Sequence, residues 1–185
     1  MMLLFFKTIY MSKRLVHLFF ILISFSLATE TSAEGNLNLK KHQTINIEIT
    51  SHLGDQQVFV ENDIISFFIS LDHSAYIYVF YQDASNHVYQ LLPNKTQIEH
   101  YFNAGDYIPF PAQNSDFQFK IQPPFGKEQL WVFASDQKQA AFMTNATTDK
   151  LKPIIKNQSE LGKTIRLKSG NFFGQAQLTI NTSKK

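Results

Sequence analysis

Residue types able to do chemistry are few in this chain and widely spaced. Beyond the first forty residues, histidines stand at His42, His52, His73, His87 and His100, with no His-x-His or His-x-x-x-His spacing, and there is no Cys. A metal would have to be held by loops that converge from distant positions, and thiolate zinc sites, disulfides, Cys nucleophiles and a lipid-accepting Cys are excluded. No Gly-x-Ser-x-Gly elbow, phosphate-cradling Gly-rich loop or dinucleotide fingerprint occurs, so no catalytic residue, metal or cofactor is assigned. Asp63, Asp72, Asp83 and Asp106 each fall where a strand pattern ends, and there a carboxylate accepts backbone hydrogen bonds in a turn.

Aromatic side chains are the unusual supply, with 18 Phe and 7 Tyr in 185 residues. On a candidate strand, Tyr76, Tyr78 and Phe80 share one face and Ile77, Val79 and Tyr81 the other. Either both faces are core, or Tyr76 and Tyr78 join Tyr89 on the next strand and Tyr101 or Tyr107 in the following loop as a partly exposed docking patch. Phe125, in the rigid Pro123-Pro-Phe125 loop, is a second candidate contact.

The elements that must position these rings are mostly strands. Thr44 to Thr50 alternates Ile45, Ile47 and Ile49 with polar residues, a half-buried strand, and Val58 to Val60 is a short second one. Ile64 to Leu71 and Ala75 to Tyr81 are apolar on both faces, as expected of strands covered on two sides. His87 to Leu92 follows a five-residue break in which Asn86 can take positive φ. Phe117 to Gln122, Leu130 to Ala134 and Ala176 to Ile180 complete the strands. One helix is expected over Thr148 to Leu161, capped by Asp149 and stopped by Gly162. The fold class is mainly β: a β-sandwich or partly open barrel of about seven to nine strands, with one or two short helices near the C-terminus.

The first 33 residues read as a separate unit. Met11-Ser-Lys-Arg14 precedes the apolar run Leu15 to Leu27, and small residues follow, which predicts a secretory signal peptide cleaved after Ala33 with a possible start at Met11. The run is shorter than the ~20 residues a membrane span requires, so no span is expected once the signal is removed. Loss of Lys7, Lys13, Arg14 and Glu30 removes three of the 17 basic and one of the 15 acidic side chains, leaving zero net charge. A nucleic-acid partner has no electrostatic support. Residues 34–43 are read as a linker and 44–182 as a single β-rich domain.

Four motifs in order carry a family resemblance: Tyr76-Ile-Tyr-Val-Phe-Tyr-Gln-Asp83, His87-Val-Tyr-Gln-Leu-Leu-Pro-Asn94, Ala104-Gly-Asp-Tyr-Ile-Pro109 and Pro123-Pro-Phe-Gly-Lys-Glu-Gln-Leu-Trp-Val-Phe-Ala-Ser135. Over residues 44 to 136 the chain resembles the domain-of-unknown-function family 4384 of bacterial envelope proteins. It departs at Asn86 and at Asn62, where the family usually carries Gly; Asn is the next best residue at positive φ. The resemblance implies a β-rich accessory domain and brings no catalytic residues.

These readings converge on a non-enzymatic, exported protein, periplasmic or outer-membrane-associated and not lipidated. The expected role is a protein-interaction module in an envelope assembly, such as a secretion system, with other envelope proteins as partners. The alternative is a binder of peptidoglycan, another glycan or a small ligand, which requires aromatic rings to line a concave surface with polar groups between them.

Overall fold

The computed structural model describes residues 41–54, 56–146 and 152–185. The expected signal peptide, nearly all of the linker and the expected cap Asp149 lie outside these residues. In chain order the elements are β1 (Gln43–Thr44), β2 (Ile47–Ser51), β3 (Val58–Val60), β4 (Ile64–Ile65), β5 (Phe67–Leu71), β6 (Ala75–Gln82) and β7 (Val88–Leu92). They continue with β8 (Tyr101–Phe102), β9 (Ile108–Phe110), β10 (Phe119–Lys120), β11 (Lys127–Ser135), α1 (Ala140–Ala146), α2 (Gln158–Lys168) and β12 (Phe172–Ser183). Eight of these strands are three residues or longer, and the described residues are mainly β with two short helices.

The main sheet runs β1-β12-β11-β6-β7, with β3 paired to β12 and β8 to β6. Its long neighbours are antiparallel, while β1 and β3 join β12 in parallel. A three-stranded sheet, β2-β5-β9, and the pair β10-β4 complete the strands. Period two on β6 and β11 sends alternate residues to opposite faces. Ile77, Val79, Leu130, Val132, Leu178 and Ile180 pack with Phe67, Ile69, Leu71, Ile108 and Phe110 of the small sheet. On the other face Tyr78, Phe80, Trp131, Phe133 and Phe173 meet Phe142 of α1 and Leu161 and Ile165 of α2. The expected sandwich is therefore present with a helical layer added outside it, and β6 is covered on two sides as its composition requires.

Ile64 to Leu71 departs from expectation, being two strands, β4 and β5, with only one core face. Phe67, Ile69 and Leu71 are buried, whereas Ile64 is half exposed and Phe68 faces outward under the ring of Tyr107. Thr44 to Thr50 is likewise broken at Asn46, whose N–H and side-chain amide both donate to the Asp72 carboxylate, at 2.9 and 2.5 Å.

The helix also starts later than expected. Asn157 caps α2: its Oδ1 accepts from the Glu160 N–H and its own N–H donates to Glu160 Oε2, each at 3.0 Å. This capping box outcompetes a start before Pro153, because Ile154 is engaged in a bridge to Val88 through a 2.7 Å bond from its N–H to the Val88 carbonyl. Gly162 lies inside α2 rather than ending it, since an added Cβ would stand 3.1 Å from the Phe133 ring. A helical Gly costs about 1 kcal/mol. Burial of Leu161 and Ile165 contributes about 1.5–3 kcal/mol each and outweighs it.

Turns confirm the Asn readings, with φ of 76° at Asn62 and 67° at Asn86. All four turn aspartates accept backbone N–H groups: Asp63 from Val60, Asp72 from Asn46, Asp83 from Ser85 and His87, and Asp106 from Asn103.

Two stability outcomes follow from this backbone. Asn86→Gly should leave the unfolding free energy from urea titration within about 0.5 kcal/mol of the wild type, while Asn86→Val should cost about 1 kcal/mol or more. Equal midpoints would contradict the turn. Gly174→Ala should cost about 1–3 kcal/mol, because a Cβ there collides with the Ile45 backbone carbonyl, and thermal melts of the variant measure it.

Candidate binding cleft

Strand register decides where each ring goes. Tyr89 pairs directly with Tyr81, so it lies on the Ile77, Val79 and Tyr81 face and not with Tyr76 and Tyr78. The expected tyrosine patch is accordingly split. Tyr78 is completely buried, its hydroxyl accepting from the Gln139 N–H at 2.7 Å, and burial pushes that hydroxyl up to about 12. It is core and cannot dock a partner. Tyr76 is half-buried and meets the exposed Tyr101 ring edge-on at 4.9 Å. Beneath them lies His100, buried against the Tyr76 and Tyr78 rings. Its Nδ1 is 2.7 Å from the Ile98 carbonyl, its Nε2 has no partner, and burial lowers its pKa. Tyr107, two-thirds exposed, stacks on Phe68 at 4.7 Å on the small sheet. Phe125 is half-buried against the larger core.

Of these five tyrosines and Phe125, Tyr89 reaches a concave surface. A cleft of about 310 Å³ lies between the β6–β7 hairpin and the segment around β10. Tyr81, Asp83, Tyr89 and Leu91 form the first wall; Phe117, Gln118, Phe119, Lys120, Gln122, Pro123 and Pro124 form the second. The hairpin wall is fixed by Asp83, whose Oδ1 accepts from the N–H groups of Ser85 (2.9 Å) and His87 (2.8 Å). The other wall is fixed where Phe119 pairs with Ile65 and Ile121 exchanges backbone hydrogen bonds with Asn62 and Asp63. Rings meet at the base: Tyr81 lies 6.3 Å from Tyr89 at 25° and 4.9 Å from Phe119 at 89°.

A buried carboxylate sits behind this base. Glu128, 1% exposed, accepts from the Tyr81 hydroxyl at Oε2 (2.7 Å) and from the Thr182 hydroxyl at Oε1 (3.0 Å). Burial raises its pKa, aided by the charge of Asp83 and opposed by the two hydroxyl donors. Burial and the Glu128 contact raise the Tyr81 hydroxyl in turn, and burial with the Asp83 charge raises that of Tyr89. On three neighbouring strands, Tyr81, Glu128 and Thr182 are the next same-face positions after Val79, Leu130 and Ile180; with Tyr81 opposite Leu130 and Glu128 opposite Ile180, the polar groups step diagonally across the end of the apolar face.

Residues 58–138 match the family described as "Domain of unknown function (DUF4384)". The motif resemblance to family 4384 is thereby shown. The DUF4384 segment runs from β3 to just beyond β11, spans just under half of the chain, and includes every residue lining the cleft together with Glu128. Thr182, the second donor to that carboxylate, comes from β12 outside it. No curated protein and no solved structure matches the chain.

The docking-patch reading missed Tyr81, Asp83, Phe119 and Glu128. A signal for Glu128 was present, since counting back by two from Leu130 through the Lys127–Ser135 strand puts a carboxylate on a core face.

The raised pKa of Glu128 gives a pH dependence of definite sign. The folded state holds that proton more tightly than the unfolded chain, so this contribution to stability is present at low pH. It is lost as pH rises from the unfolded value, about 4.3, through the raised folded one. Glu128→Gln, with no charge to bury, should therefore gain on the wild type between pH 4 and pH 7, about one proton's linkage. Urea midpoints of both proteins across that range check it, and a constant difference would contradict the assignment.

Proposed function

We propose that the protein is a non-catalytic interaction module of a bacterial cell-envelope assembly, exported to the periplasm or the outer membrane and gripping a partner protein in the Tyr81–Tyr89 cleft. The carrying observation is the cleft itself, which combines ring faces and prolines with a few polar groups at its rim. Aromatic anchors of this kind supply contact area at small entropic cost, and interfaces concentrate their binding energy in them. Both carboxylates at the cleft are committed to structural hydrogen bonds: Asp83 holds a hairpin and Glu128 ties three strands. The export pattern at the N-terminus and the neutral remainder of the chain support the envelope setting, of which a secretion apparatus is one instance.

A second reading is favoured by the same concavity. Gln118 and Gln122 line the cleft together with the rings, a combination that also suits a sugar of peptidoglycan.

A photo-crosslinking residue placed at Gln122, compared with one at Tyr101, separates these readings in the native envelope. The interaction module should yield a defined protein adduct from position 122 that position 101 does not give. Adducts from both positions alike, or from neither, would overturn the assignment to the cleft. Co-sedimentation with purified cell wall that Tyr89→Leu abolishes, without a protein adduct, would establish the glycan reading in its place.

A further inference from the structure

Both tyrosine hydroxyls of the cleft point at carboxylates. Tyr81 donates its proton to Glu128, and the Tyr89 hydroxyl lies 3.5 Å from Asp83 Oδ2. The Tyr81 proton is thus directed out of the cleft to Glu128, the rings of Tyr81 and Tyr89 line it, and aromatic faces are the negative part of the ring quadrupole. Asp83 lines the same space as a carboxylate held by backbone N–H groups, with His87 Nδ1 at 3.2 Å. Phe119 stands perpendicular to Tyr81 and adds a third ring. Rings set beside a carboxylate attract a cation, and partial desolvation strengthens the attraction.

From this geometry we infer that the cleft selects a positively charged side chain, Arg or Lys, carried by the partner protein. The inference rests on the reading of the cleft as a partner site and adds the chemistry it recognises. The volume is at the small end for ligand sites, about 300–1,000 Å³, and matches one long side chain with its flanking backbone. Lys120 is the one basic residue of the lining, exposed on β10, and it forms no ion pair among the described residues. It repels a second cation, so it directs the incoming charge toward the Asp83 wall.

Lys120 makes the test directional. The full-length protein, labelled with fluorotyrosine, is titrated with acetyl-Gly-Arg-Gly-amide and with its norleucine and glutamate counterparts; Tyr81→Phe and Tyr89→Phe assign the two cleft resonances. The arginine peptide should shift both resonances saturably and bind about tenfold more tightly than the norleucine peptide, with the preference falling at high salt. Lys120→Ala should tighten arginine binding severalfold, Lys120→Glu should tighten it further, and Tyr89→Leu should abolish it. Asp83→Asn should weaken it, and because that change also touches the hairpin, the Lys120 series decides. Equal binding of arginine and norleucine peptides, tightest binding of the glutamate peptide, or no shift at millimolar concentration would each overturn the inference. Cleft-specific crosslinking in the envelope together with equal arginine and norleucine binding would remove the charge selectivity and leave the interaction reading standing. Tight arginine binding with no protein adduct would do the reverse.

Discussion

The pairing of β6 with β11 is the constraint from which the other contacts follow. Seven consecutive residue pairs, Gln129 with Gln82 through Ser135 with Tyr76, hold the two strands at the middle of the main sheet. Because successive side chains alternate in direction, each strand must satisfy two environments at once. On one side the requirement is met by the small sheet, on the other by α1 and α2. Tyr78 shows how completely: a residue with a polar tip is accepted in the helix-side core because the Gln139 N–H reaches its oxygen.

The same alternation explains why the cleft stands where it does. The face that begins with Ile77 and Val79 continues to Tyr81, and that of β11 runs back from Leu130 to Glu128. Apolar cover from the small sheet gives out here. Polar side chains then take over, held by hydroxyl donors to one carboxylate, and the rings of Tyr81 and Tyr89 are left half-covered beside the buried Phe119. The site is thus an unfinished end of the core, walled by a hairpin and by the chain leading to Pro123 and Pro124.

Much of this was legible in the residues. Period two and the turn chemistry of Asp63, Asp83, Asn62 and Asn86 placed most strands and their ends, since these are local effects with short-range physics. The grouping of tyrosines was not legible, because it depends on which residue of β7 lies opposite Tyr81, and a shift of one residue moves Tyr89 to the other face. The helix start was read too early for a related reason: apolar spacing from Leu151 onward favoured it, but the backbone of Ile154 pairs with Val88, a contact that local pattern does not contain. The Asn157–Glu160 capping box was the better local indicator.

The position of β12 bears on the order in which the molecule can assemble. This strand lies between β1 and β11 and also takes β3 alongside it, so three partners from early and middle parts of the chain converge on a segment near residue 180. A ribosome supplies it after all three of them. Until then β1 and β3 have no neighbour in the main sheet, and β11 has one open edge. Such long-range closure slows folding, because the loop entropy is lost before the contacts are gained. Everything from β1 to α2 is consequently made before the main sheet can be finished, and completion of that sheet waits on β12.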